Sequence, residues 1–242
     1  MRYSFSPISP RRAYRRLYTA YGAQGWWPTT PRGAESPAYY PGRGAKISER
    51  ERAEICVGAV LAQNTNWSNA EKALAALHRA KIWTLKDLEK LTPRRLAGLI
   101  RSSGYFRQKA KKLKAFAAYA ASRGKTLARW LAAPLPELRR ELLSLWGVGP
   151  ETADSILLYA GGRPAFVVDA YTRRLAERLG WLRRPDYAAA QEYLVRRLPK
   201  SARLYNEFHA LAVRLAKEHC RATPRCEGCP LLDGCRYGAA HA

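Results

Sequence analysis

Leu145-Trp146-Gly147-Val148-Gly149-Pro150-Glu151-Thr152-Ala153 is the stretch of this 242-residue chain on which the reading of the fold turns. Two glycines around one small apolar residue let the backbone turn tightly and come close to a ligand. Proline suits the first position of a helix, and the helix that starts here turns N–H groups outward, which makes an anion site. Gly147, Val148, Gly149 and Thr152 are therefore candidate phosphate contacts. A plain turn between two helices is the alternative for a lone G-x-G.

Outward from this turn the pattern is helical in both directions. Upstream, Pro136 to Leu145 carries a helical apolar pattern, and downstream Pro150 to Ala160 does the same through Ile156, Leu157 and Tyr159. Further helices are expected over Arg11 to Tyr21, Arg52 to Ala62, Lys72 to Ala80, Phe106 to Arg123, Ala170 to Leu179, Asp186 to Leu198 and Arg203 to His219, with one more opening at Thr92-Pro93 and stopping near Gly104. Ser48 with Glu51 and Ser68 with Glu71 read as capping boxes, and Pro28 to Gly44 reads as loop. No alternating strand pattern of useful length appears and no internal repeat. The fold class is all-α.

Composition narrows the partner. Apolar residues make up 47% and charged residues 26%, which excludes wholesale disorder. The 43 Lys and Arg against 19 Asp and Glu leave a charge of +24, spread from Arg11 to Arg236, so the expected partner is a polyanion. The longest apolar run, Ile55 to Ala62, is too short to span a bilayer, and no apolar segment follows the first arginines as in an export signal. The expectation is a cytoplasmic, nucleoid-associated protein without membrane contact.

Cys220, Cys226, Cys229 and Cys235 are spaced C-x5-C-x2-C-x5-C, while Cys56 sits in an apolar helical run as a small buried hydrophobe. Disulfides are one reading, although nothing suggests an oxidising compartment. Zinc is a second, with a single short knuckle where two are usual. An iron–sulfur cube held by four thiolates is the third.

The glycine turn is followed by Gly161-Gly162-Arg163-Pro164, by Val167-Val168-Asp169, and then by the four cysteines. In this order the chain resembles the helix-hairpin-helix DNA glycosylases of the endonuclease III family. Trp26-Trp27-Pro28, Leu61-Ala62-Gln63-Asn64-Thr65, Ser103-Gly104-Tyr105-Phe106 with Gln108-Lys109-Ala110-Lys111, and Glu151-Thr152-Ala153-Asp154 resemble its 3-methyladenine DNA glycosylase branch. The resemblance covers most of the chain from about Arg11. It implies a [4Fe-4S] cluster on Cys220, Cys226, Cys229 and Cys235, although the five residues between the first two cysteines are one fewer than the family pattern. It also implies a basic helix and loop over residues 1–47 packed with the cluster lobe, a six-helix domain over 48–162, a cluster lobe over 163–242, and a lesion base flipped between the lobes.

Roles follow position by position. Asp169 would stabilise the positive charge that builds on the deoxyribose as the glycosidic bond breaks, and orient water; it also suits an N-cap before Ala170. Glu151 stands where bifunctional relatives carry an attacking lysine, and a carboxylate forms no Schiff base; an acidic residue in a first helical turn is its simpler role. Gln63 matches the residue that fills the gap left by an extruded nucleotide; a helix-end glutamine pairing with backbone is its simpler role. Trp26, Trp27 and Tyr171 are candidate walls of a base pocket, with one of the two tryptophans and Tyr171 equally suited to the core. Lys109 and Lys111, in a run with Arg107, Lys112 and Lys114, read as a solvated helix face that contacts phosphates. His209, among apolar neighbours, reads as structural.

The activity expected is monofunctional excision of alkylated purines from double-stranded DNA by a monomer. Uracil or thymine mismatch and oxidised-base glycosylases, with or without lyase activity, are the alternatives among enzymes. A non-catalytic DNA-binding module is the alternative of another class.

Overall fold

The computed structural model describes residues 6–41 and 47–241. Its helices are α1 (Pro10–Tyr21), α2 (Glu49–Leu61), α3 (Trp67–Arg79), α4 (Leu85–Lys90), α5 (Pro93–Leu99), α6 (Phe106–Ser122), α7 (Leu127–Trp130), α8 (Leu135–Ser144), α9 (Pro150–Ser155), α10 (Ala170–Leu179), α11 (Tyr187–Arg197), α12 (Ala202–Glu218) and α13 (Arg236–His241). Among the described residues, extended pairing is limited to one antiparallel bridge, Thr29 with Ala38, inside the stretch expected as loop. The all-α expectation is met.

The described residues divide into two compact units, one from Met1–Trp26 with Phe166–Ala242 and the other from Trp27–Ala165. The first boundary falls between the two tryptophans rather than at residue 47, so the loop after Trp27 belongs with the central helices.

The unit from Trp27–Ala165 is organised on α2. Ser48 opens the helix with the expected box: its hydroxyl accepts from Glu51 N–H, and the Glu51 carboxylate accepts from Ser48 N–H at 2.8 Å. From Ala53 to Leu61 every residue is buried, so the helix is covered on all sides. Burying each large aliphatic side chain here contributes roughly 1.5–3 kcal/mol. Cys56 lies fully inside, its thiol pushed up to about 12 by burial, as befits a packing residue. One charge is buried with them. The Glu54 carboxylate accepts from Thr30 N–H at 2.9 Å and Thr30 Oγ1 at 2.7 Å, with His78 Nε2 3.6 Å away. Burial holds that carboxyl above its ordinary value and His78 down at about 4.

Three local expectations change. Ser68 and Glu71 form no capping box; α3 starts at Trp67 behind Asn66, with no side-chain cap, because the Trp67 ring is anchored by packing against Trp27. The short helix α4 has a capping box of its own, Thr84 with Asp87, but six residues are too few to show a period. Pro150 to Ala160 is not one α-helix. α9 gives way to a π-turn over Ile156–Ala160, closed by Gly161 N–H on Ile156 O at 2.9 Å.

The other unit is built on α12, whose Tyr205, Phe208, Leu211 and Leu215 are buried against α1 and α10. Phe166, just ahead of α10, packs edge-on to Tyr205 and Phe208 with centroids 5.1 and 6.0 Å apart.

Candidate functional site

The glycine turn joins α8 to α9, and an ion pair between a half-buried arginine and a buried aspartate links those helices. Arg139 Nε donates to Asp154 Oδ1 at 2.7 Å and Nη2 to Oδ2 at 3.0 Å, with Asp154 fully buried. Within the turn, Val148 is buried, Gly147 has φ +83° and Gly149 has φ −91°. A Cβ on Gly149 would meet nothing within 4 Å, and Gly149 brings no side chain to cap α9. A Cβ on Gly147 would lie 2.4 Å from the Lys112 side chain. Gly147 is thus needed for its conformation and for the lysine laid across it.

Lys112 belongs to a polar chain that ties three segments. Its Nζ donates to Gln63 Oε1 at 2.7 Å, and Gln63 Nε2 donates to Gly147 O and to Thr152 Oγ1, both at 2.9 Å. Gln63, which follows α2, is therefore bonded to the turn in this conformation. Thr152 is buried, its Oγ1 accepting from Gln63 Nε2, so its side chain faces the protein interior rather than the solvent expected of a phosphate contact.

Lys109 is a second correction. It is 2% exposed, and its Nζ donates to Leu61 O at 2.8 Å and Ser103 O at 2.6 Å. Burial, with the charge of Lys112, brings its ammonium down to about 8. It faces the interior because its position on α6 repeats with Ala110, Leu113 and Phe116 on the buried side. Lys111 and Arg107 remain exposed.

On the same unit, Trp27 lies edge-on to Trp67 with centroids 5.1 Å apart, and 5.1 Å from the Tyr159 ring. Gly58 of α2 makes room, since a Cβ there would meet Trp27 at 3.2 Å. Tyr159 sits in the π-turn, an irregularity that often re-aims side chains at functional sites. Trp67 went unnoticed in the sequence, although Asn64-Thr65-Asn66 just before it marks the end of a turn. Glu151 is exposed on the first turn of α9.

In the other unit, Asp169 caps α10, its Oδ1 accepting from Thr172 N–H at 2.7 Å, and Oδ2 is 3.6 Å from His209 Nε2 on α12. Burial pushes its carboxyl up, yet the bonding and charge of His209 and the Thr172 N–H outweigh this and hold it below the ordinary aspartate value. His209 is buried as expected, and its contact with Asp169 is what the sequence could not show. Tyr171 is half-buried with the Arg174 guanidinium 5.2 Å above its ring, and Trp26 is half-buried as well.

The cysteine loop follows α12. Arg178 Nη1 donates to Cys220 Sγ at 3.3 Å and to Arg221 O at 2.6 Å, and Nη2 to Ala222 O at 2.8 Å. Arg174 Nε donates to Cys220 O at 2.8 Å, so two arginines pin the five-residue span. Burial raises Cys229 to about 11, and the charges of Cys235, Cys220 and Cys226 add to it. Among the described residues no group of three His, Cys, Asp or Glu is gathered closely enough to hold a metal ion as it stands.

The sequence pattern of the HhH-GPD superfamily base excision DNA repair proteins matches residues 57–200. The chain belongs to that superfamily. It is 38% identical over 228 residues to MJ1434 of Methanocaldococcus jannaschii, whose name ranks it with the DNA repair glycosylases, covering 93% of this chain and 94% of that one. Endonuclease III of Thermotoga maritima is 30% identical over 190 residues, 78% of this chain and 84% of the relative. Among solved structures, H. pylori 3-methyladenine DNA glycosylase (MagIII) bound to 1,N6-ethenoadenine superposes with a TM-score of 0.71 at 25% identity, covering 87% of this chain and 98% of that one. A non-covalent endonuclease III–DNA complex shares the fold, with a TM-score of 0.73 at 24% identity over 95% of each chain. This HhH-GPD chain is thus a base excision repair DNA glycosylase of the endonuclease III family. No described helix is long and apolar enough to cross a membrane.

Proposed function

We propose that this HhH-GPD protein is a monofunctional glycosylase that removes alkylated purines, 3-methyladenine foremost, from double-stranded DNA, acting as a monomer. The observation that carries the reading is Glu151, a carboxylate on the first turn of α9 where the family resemblance places a nucleophilic lysine in strand-cleaving members. Without an amine at C1′ no Schiff base forms, and water is left as the nucleophile. The half-buried Trp27 and Trp67 support the choice of base, because an electron-poor alkylated purine stacks well on an indole face, while the buried Tyr159 backs Trp27 from inside. Relatedness to a glycosylase crystallised with an ethenoadenine points the same way.

Asp169 supplies the charge. Held ionised by its neighbours, its carboxylate stabilises the positive sugar as the bond to the base breaks and directs water to C1′. A cationic alkylated base leaves readily, so little protonation of the leaving group is required. The hairpin glycines and the exposed Lys111 hold phosphates, and Gln63 fills the emptied position in the duplex.

The cysteine loop would hold a [4Fe-4S] cluster through Cys220, Cys226, Cys229 and Cys235. The donor set is four soft thiols within one loop, the ligand type an iron–sulfur cluster takes, and a bound cation would have to displace the protons that burial holds on Cys229 and Cys235. Two sulfurs already have N–H donors: the Arg178 guanidinium reaches Cys220 Sγ at 3.3 Å, and Gly238 N–H reaches Cys235 Sγ at 3.4 Å. When bound, the cluster supplies cross-linking of the loop.

The experiment is a set of labelled duplexes, each with one modified base, treated with and without alkali and with borohydride. Release of 3-methyladenine, strand breaks only after alkali and no trapped complex are expected. Efficient trapping, or release confined to oxidised pyrimidines or mismatched uracil and thymine, would overturn the reading.

A further inference from the structure

A buried lysine lies between the turn that carries Gln63 and the turn that leads to the exposed Tyr105, and nothing in the chemistry proposed above uses it. Lys109 Nζ binds Leu61 O, the last carbonyl of α2, and Ser103 O, which closes the short 3-10 turn Arg101–Ser103. Both are helix-end carbonyls, where unpaired acceptors and the negative end of the peptide dipoles concentrate. Each is followed by a residue in the left-handed conformation. Asn64, beside Gln63, has φ +50°, and Tyr105 has φ +44°. Tyr105 is 69% exposed, near exposed Arg101 and Arg107. Single left-handed non-glycine residues hold their place only where the surroundings over-determine them.

We infer that Lys109 is a positioning residue for DNA engagement: its ammonium ties the Leu61 turn to the Ser103 turn and thereby sets the spacing of Gln63 and Tyr105 on the protein surface. A hydrocarbon of the same length would fill the space but leave both carbonyls without a donor. The three donors of a lysine, unlike the planar fork of an arginine, suit two acceptors from different directions. Lys112, one turn further along α6, reinforces one side of this arrangement through its bond to Gln63 Oε1 at 2.7 Å. The inference rests on the reading of Gln63 as a residue that meets the duplex.

The test compares Lys109→Met, Lys111→Met, Gln63→Ala and Tyr105→Ala by equilibrium binding to an undamaged duplex and to one bearing a tetrahydrofuran abasic analogue, across a salt series. Lys111→Met should lower the salt slope by about one for both duplexes, as a lost phosphate contact does. Lys109→Met should leave the slope and the undamaged affinity as they are, while its preference for the abasic analogue falls roughly tenfold, the scale of one or two lost hydrogen-bonded contacts. A slope lowered by about one, or an unchanged preference, would overturn the inference. If Gln63→Ala and Tyr105→Ala are both silent, the underlying reading of the DNA face fails instead. Should Lys109→Met not fold, the Gln63→Ala and Tyr105→Ala double variant decides: coupled losses support a shared support, and strictly additive losses refute it.

Discussion

His209 Nε2 approaches Asp169 Oδ2 to 3.6 Å while Asp169 Oδ1 accepts the N–H of Thr172. One carboxylate thus divides its oxygens between a helix cap and a histidine. Asp169→Asn keeps a cap oxygen and the shape but loses the charge. Base release should fall on the order of a hundredfold or more while binding to a lesion-bearing duplex persists. Near-normal turnover would leave Asp169 with capping alone.

The ion pair between Arg139 and Asp154 predicts a stability effect remote from the chemistry. Asp154→Asn leaves a one-third-exposed guanidinium facing a buried neutral amide, so water screens part of the loss, and unfolding by denaturant should show a loss of about 2 kcal/mol. Because the pair joins the helices on either side of the glycine turn, duplex affinity should fall with it. A variant as stable as the parent would show that the pair holds nothing.

The two hairpin glycines should separate. Gly147→Ala meets a positive φ and the Lys112 methylenes, so it should lower the melting temperature and loosen Gln63 from the turn. Gly149→Ala enters open space at an ordinary φ and should melt like the parent. Any loss of duplex affinity in Gly149→Ala then reports close backbone approach to the strand.

Lys109 gives the fold a pH signature. In the unfolded chain its amine titrates near 10.5, in the folded one at about 8. Between these values the unfolded state binds the proton and the folded state does not, so this site makes stability rise with pH from about 8 to 10.5. Below that window the burden of the buried ammonium is fully present. Subtracting the stability profile of Lys109→Met from that of the parent should expose the rise; parallel profiles would contradict it.

Iron and acid-labile sulfide measured after anaerobic purification should match one [4Fe-4S] cluster per chain, and Cys229→Ser should lose iron and solubility together. Stoichiometric zinc without iron would replace the cluster by a structural zinc.

Much of this was legible in the residues. The hairpin, the helical class and the cap at Asp169 depend on local chemistry: glycine at a tight turn, capping side chains, apolar period. What escaped depends on contacts between distant segments. A lysine in a basic run looks the same whether it reaches solvent or, like Lys109, two helix ends. Trp67 gained its place from Trp27, forty residues earlier in the chain, and that packing overrode the cap that Ser68 offered. The π-turn that carries Tyr159 leaves no periodic trace because one added residue in a turn looks like ordinary helix over so short a span.

Arg11 of α1 donates to the carbonyl of Arg197, 186 positions away, and α1 packs on α12. During synthesis on the ribosome, the unit from Trp27–Ala165 has all its internal partners once its last residue emerges. Helix α1 must wait, arginine-rich and unpaired with its apolar face uncovered, until α12 follows it out. Assembly therefore has a built-in order, with Asp169 and the cysteine loop arriving last, after the unit that carries the glycine hairpin has already formed.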